Sequence, residues 1–111
     1  MIVDVPHWEW EMHVSTDTAP AGIVTFNAIN QGAIPHNLRL AKTDLAPDAL
    51  PVDRSTFMVD EGQLDVLAAS RDLDAGESEQ LTVELRPGNY VLFCNIVGHY
   101  QTGLYIGFSV E

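Results

Sequence analysis

The sequence predicts an all-β fold: an antiparallel β-sandwich with Greek-key connections, built from seven or eight short strands. Three observations carry that expectation. Apolar and polar residues alternate over short runs, the period of a strand with one buried face. Turn-forming clusters such as Ala19-Pro20-Ala21-Gly22, Asp74-Ala75-Gly76 and Arg86-Pro87-Gly88-Asn89 separate those runs. No stretch makes a convincing helix, and Pro47 and Pro51 preclude a long one in the least regular part of the chain.

Taken in order, Trp8, Trp10, Met12 and Val14 share one parity and His7, Glu9, Glu11 and His13 the other, which predicts a half-buried first strand with Pro6 marking a bend or edge before it. Ile23 to Asn30 forms the next, with Val24, Phe26 and Ala28 turned inward. Pro35 holds Ile34 extended on the approach to His36, and Leu38 to Lys42 follows as a short strand. Residues 43–63 are expected to be an irregular loop, unusually long for so small a chain and left without a role. Leu64 to Ala69 is extended again, and Leu81, Val83 and Leu85 alternate against Thr82 and Glu84. Tyr90 to Phe93 is apolar at every position, as in a strand covered on both faces. Leu104, Ile106, Phe108 and Val110 close the chain as an alternating strand.

Size and charge set bounds on function. The 111 residues make one domain, 1–111, with no linker, internal repeat or low-complexity tract. A domain of this size buries about two-thirds of its extended-chain surface, enough to fold without a disulfide, and its single cysteine cannot form an internal one. With 16 Asp and Glu against 5 Lys and Arg, the surface is wrong for nucleic acid and is repelled by anionic membranes. It suits a monomer, or a basic docking partner. No run approaches the roughly 20 apolar residues of a transmembrane helix, and Asp4 and Glu9 interrupt the start where a signal peptide would be apolar.

The chemistry concentrates in Cys94-Asn95-Ile96-Val97-Gly98-His99-Tyr100-Gln101-Thr102-Gly103-Leu104, a loop between two apolar strands. It carries the only cysteine and one of four histidines. Gly98 and Gly103 permit the tight backbone of a short ligand loop. His36 lies far upstream at another strand edge, in Ile34-Pro35-His36-Asn37-Leu38. A lone buried cysteine is ordinarily an inert apolar side chain. A β fold that brings one thiolate and two imidazoles together instead makes a three-donor site for a soft metal, the ligand set of blue-copper electron-transfer centres. A structural zinc wants a fourth donor, and a leucine stands where it would be. A Cys-His hydrolase is disfavoured because Cys94 follows a strand and not a helix N-terminus. His7 and His13 share strand parity but stand roughly 20 Å apart on an extended chain, and are expected to be solvated edge residues.

The order His-Asn before a strand, then a strand ending in Cys, four residues, His, four residues and a further position resembles the cupredoxin family, small type 1 blue copper proteins of the plastocyanin and azurin kind. Pro35-His36-Asn37, Gly88-Asn89-Tyr90 through Cys94, and His99 through Gly103-Leu104 carry the resemblance. By it, His36, Cys94 and His99 would be equatorial ligands of one copper ion, Asn37 would tie the two ligand loops together behind the sulfur, and Leu104 would stand where the family has an axial Met. The carbonyl of Pro35 would then be a distant contact at most, and the missing donor would raise the reduction potential. Met12 and Met58 have no spacing that recommends them as a replacement.

The resemblance implies an electron carrier, not an enzyme, in a periplasmic or extracellular setting. Its partner would be a redox protein such as a cytochrome or copper oxidase, docking on Ile34, Pro35, Ile96, Val97, Gly98 and Tyr100. Copper delivery without turnover, and a metal-free immunoglobulin-like module in which Cys94 is only core, remain as alternatives.

Overall fold

The computed structural model describes residues 1–111. Its eleven strands are β1 (Ile2–Trp8), β2 (Glu11–Met12), β3 (Thr18–Ala19), β4 (Gly22–Asn30), β5 (Arg39–Lys42), β6 (Val52–Asp53), β7 (Met58–Val59), β8 (Asp65–Ala69), β9 (Ser78–Leu85), β10 (Gly88–Phe93) and β11 (Tyr105–Val110). One sheet runs β2-β1-β4-β9 and the other β3-β11-β10-β5-β8, with β6 and β7 as a separate hairpin. The only helical elements are two 3-10 turns, Glu61–Gln63 and Tyr100–Thr102. The sheets are mixed: β1 lies parallel to β4, and β3 parallel to β11, where a wholly antiparallel sandwich was expected.

Alternation places the core where the sequence put it. Val24, Phe26 and Ala28 of β4 face inward, with Leu81 and Leu85 of β9 and Phe108 and Val110 of β11. Fully burying each such aliphatic or aromatic side chain is worth about 1.5–3 kcal/mol. The all-apolar strand β10 is covered on both faces. Tyr90 and Leu92 point into the main core, while Val91 and Phe93 join a second cluster with Ala41, Leu50, Val59 and Tyr100. Leu50 and Val59 come from the 43–63 segment. That stretch contains the β6–β7 hairpin and a 3-10 turn, and it serves as a lid over the outer face of β5 and β10.

The N-terminus departs from expectation. The first strand is Ile2–Trp8, with Val3, Val5 and His7 buried, and the chain reverses at Glu9–Trp10 to run back as β2. Parity therefore switches at the turn, from odd residues inward to Met12 inward. Pro6 sits inside β1 between two neighbours, not before it. Its position is tolerated because the β1–β2 pairs begin only at His7↔Met12, and Pro6 offers only a carbonyl, to the His13 amide at 3.0 Å. The reversal also corrects the expected separation of His7 and His13, which assumed an unbroken strand. His13 is exposed beside Glu11, but His7 is wholly buried and is no edge residue.

Candidate metal centre

His36 is fixed by its main chain before its side chain does anything. It forms an isolated bridge with Leu73, donating its amide to Leu73 at 3.0 Å and accepting the Leu73 amide at 2.7 Å. Cys94 follows β10 directly and donates its amide to the Leu104 carbonyl at 3.0 Å, so one main-chain bond closes the loop that carries the cysteine and His99. Within the loop the His99 amide donates to Ile96, and the 3-10 turn follows. Gly103 ends that turn at φ 119°, and a Cβ there would press on the Trp10 carbonyl at 3.0 Å. Glycine is required on both counts.

These constraints bring His36, Cys94 and His99 together. One donor atom from each, a ring nitrogen of either histidine and the cysteine sulfur, lies within 4.8 Å of the other two. The two Nδ1 atoms are 3.2 Å apart, and the sulfur is 3.6 Å from Nδ1 of His99. All three side chains are buried, His99 the least so at 8% exposure. Asn37 links the two loops: its amide donates to Sγ of Cys94 at 3.4 Å, its Oδ1 accepts the Asn95 amide at 2.7 Å, and its Nδ2 donates to Asp72. Leu104 is fully buried in the same core cluster as Cys94 and offers no donor atom. Pro35 lies exposed just before His36.

Burial governs the electrostatics. It pushes the Cys94 thiol up from its ordinary range, against the pull of the Asn37 and Ile96 amides and Arg39. It lowers His99, and the neighbouring His36 acts in the same direction. A metal entering the site at neutral pH therefore meets neutral imidazole at His99 and must displace the thiol proton.

Three neighbours of these side chains were not foreseen from the sequence. Nε2 of His36 donates to Oε1 of Glu9 at 2.8 Å. Burial works to raise the Glu9 pKa, but hydrogen bonds from His36, Ile34 and Ala33 outweigh it and hold the carboxyl at about 2. Trp10, 43% exposed, stands edge-on to His99 at a ring separation of 4.9 Å and to His36 at 6.3 Å. His7 also packs its ring edge-on to His36, at 5.4 Å, with Nδ1 on the Val5 carbonyl and Nε2 unpartnered. The sequence signal for all three was the parity switch between Val3-Val5-His7 and Met12. Tyr100, expected at the surface, is buried: its hydroxyl donates to the Pro47 carbonyl and accepts the Leu50 amide.

The donor set fits copper. Two nitrogens and a sulfur are soft or borderline ligands, and no carboxylate or carbonyl cage for calcium or magnesium accompanies them. A β-sandwich that gathers these three donors at one end defines a cupredoxin, a blue copper protein whose cofactor is one copper ion. The Sulfocyanin (SoxE) domain matches residues 13–111, and the chain belongs to that family.

Solved structures agree on the fold. Dithionite-reduced auracyanin from Roseiflexus castenholzii is 25% identical with a TM-score of 0.72, over 99% of this chain and 96% of that one. Auracyanin A, a blue copper protein from Chloroflexus aurantiacus, is 20% identical with a TM-score of 0.66, over 100% and 98%. Rusticyanin from Thiobacillus ferrooxidans is 18% identical with a TM-score of 0.64, over 99% and 76%. None of the curated proteins matches by sequence.

Proposed function

We propose that residues 1–111 form a single cupredoxin domain that holds copper through His36, Cys94 and His99 and carries single electrons between redox proteins. The observation that carries this reading is the convergence of two imidazole nitrogens and one thiol, all buried, within 4.8 Å. When bound, copper supplies a one-electron Cu(I)/Cu(II) couple. The chain's own residues supply the rest. The main-chain bridge at His36, the Cys94–Leu104 bond and Asn37 fix the donors before metal arrives, which keeps reorganisation between the two oxidation states small. The Asn37 amide aimed at Sγ withdraws density from the thiolate. Leu104 has no donor atom to offer a bound copper, and the Pro35 carbonyl would be a distant contact at most, so Cu(II) would lose more than Cu(I) and the potential would be high.

A carrier role is favoured over catalysis because neither surface cavity, of about 330 and 250 Å³, is lined by any of the three donors. It is favoured over copper delivery because hand-over by ligand exchange needs exposed donors, and these are at most 8% exposed. Trp10, Ile34 and Val97 are exposed: Trp10 packs on His36 and His99, and Ile34 and Val97 stand two residues from His36 and from His99. This apolar end suits brief contact with a redox protein such as a cytochrome or copper oxidase. The net charge of −11 favours a basic one and a monomeric carrier. The family supports a periplasmic or extracellular setting, and no helix is long and apolar enough to cross a membrane.

Adding Cu(II) to the purified metal-free protein tests the reading. The expected result is uptake of one equivalent with the intense visible absorption of thiolate-to-copper charge transfer. A colourless product overturns it.

A further inference from the structure

We propose that Glu9 is a positioning residue of the metal centre: its carboxylate fixes the tautomer and direction of His36 and places a negative charge behind that ligand. The inference rests on the reading that His36 binds copper through Nδ1. Glu9 lies outside residues 13–111, which the family match covers, in the turn between β1 and β2.

The geometry is built rather than incidental. The Glu9 carboxylate accepts from Nε2 of His36 at 2.8 Å, and is itself held by the Ala33 amide at 2.9 Å and the Ile34 amide at 3.1 Å. Gly32 completes the cradle, because a side chain at that position would occupy the space the carboxylate fills. The His36 side chain is wholly buried, so no solvent competes for Nε2. A neutral imidazole that donates from Nε2 presents a bare lone pair at Nδ1, the atom 3.2 Å from Nδ1 of His99. Glu9 thus decides which nitrogen is free. A carboxylate on the outer nitrogen also raises the basicity of the imidazole, and its charge favours Cu(II) over Cu(I). It therefore opposes the effect of the missing axial donor.

Two variants separate the two roles. Glu9→Gln keeps an oxygen acceptor for Nε2 but removes the charge; Glu9→Leu removes both. Nitrogen-15 NMR of the metal-free protein should show His36 protonated at Nε2 in the wild type and in Glu9→Gln, with Nδ1–H appearing in Glu9→Leu. In the copper-loaded protein, Glu9→Gln should raise the ratio of Cu(I) to Cu(II) affinity about tenfold, which is about 59 mV for a one-electron couple. Cu(II) affinity in Glu9→Leu should fall about tenfold or more. A wild-type tautomer in Glu9→Leu together with a wild-type potential in Glu9→Gln overturns the proposal. If Glu9→Leu does not fold, the Glu9→Gln potential alone decides. If the wild type takes up no copper, the functional reading fails, while the tautomers of the metal-free proteins still test Glu9.

Discussion

Leu104 has no lone pair to offer, and it is packed wholly within the apolar core beside Cys94. Replacing it with Met keeps the volume close and costs little in packing, but adds a thioether that stabilises Cu(II). The expected outcome for Leu104→Met is a reduction potential below that of the wild type, measured by redox titration; a potential equal or higher contradicts the assignment. His7 sets a second residue-scale expectation. Burial, its largest influence, and repulsion from His36 lower its pKa below 6.5, against the Val5 carbonyl and Glu9. The unfolded chain then takes up the proton first as pH falls. Its contribution to stability is full above pH 6.5 and is lost as pH drops toward the folded-state pKa. Chemical denaturation of the metal-free protein below pH 6.5 should show His7→Leu with a shallower loss, by at most about 1.4 kcal/mol per pH unit. Identical slopes rule out His7 as a source.

Among the elements, the 43–63 segment is the one whose purpose only the structure reveals. Asn95, next to Cys94, accepts the Val59 amide at 2.8 Å, donates to the Val59 carbonyl at 3.1 Å and donates to Glu61 at 2.7 Å. Arg39 then pairs with Glu61 at 3.1 Å. The lid is thereby fastened to the strand end that carries the cysteine. Asn95→Ala leaves buried Val59 groups unpartnered, at a cost of about 1–3 kcal/mol. Hydrogen exchange at the Val59 amide should accelerate in that variant; unchanged exchange would mean that the lid is held by apolar packing alone. Strands β4, β9, β10 and β11 were legible because alternation, or its absence in Tyr90–Phe93, reports directly on which faces are covered. The β6–β7 hairpin was not, since two-residue strands carry no period and are defined by what they dock against. His36, Cys94 and His99 were legible as a set because residue type and spacing survive in one dimension. Glu9 and Trp10 were not, because an unbroken first strand hid the reversal that turns them onto His36 and His99.

At the scale of the molecule, the proposed docking would divide between the acidic surface and the apolar residues beside the site. The charge of −11 would act at long range and Trp10, Ile34 and Val97 at contact. Electron transfer to a basic redox protein should slow steeply as ionic strength rises, because the Debye length shrinks from about 10 Å at 0.1 M to about 3 Å at 1 M. Stopped-flow rates that do not change with salt would remove charge from the account and leave the apolar patch.

The most direct measurement is anomalous diffraction at the copper absorption edge from crystals of the copper-loaded protein. The account predicts a single peak bonded by Nδ1 of His36, Sγ of Cys94 and Nδ1 of His99. Copper bound at other side chains, or its absence from those three atoms, would contradict it.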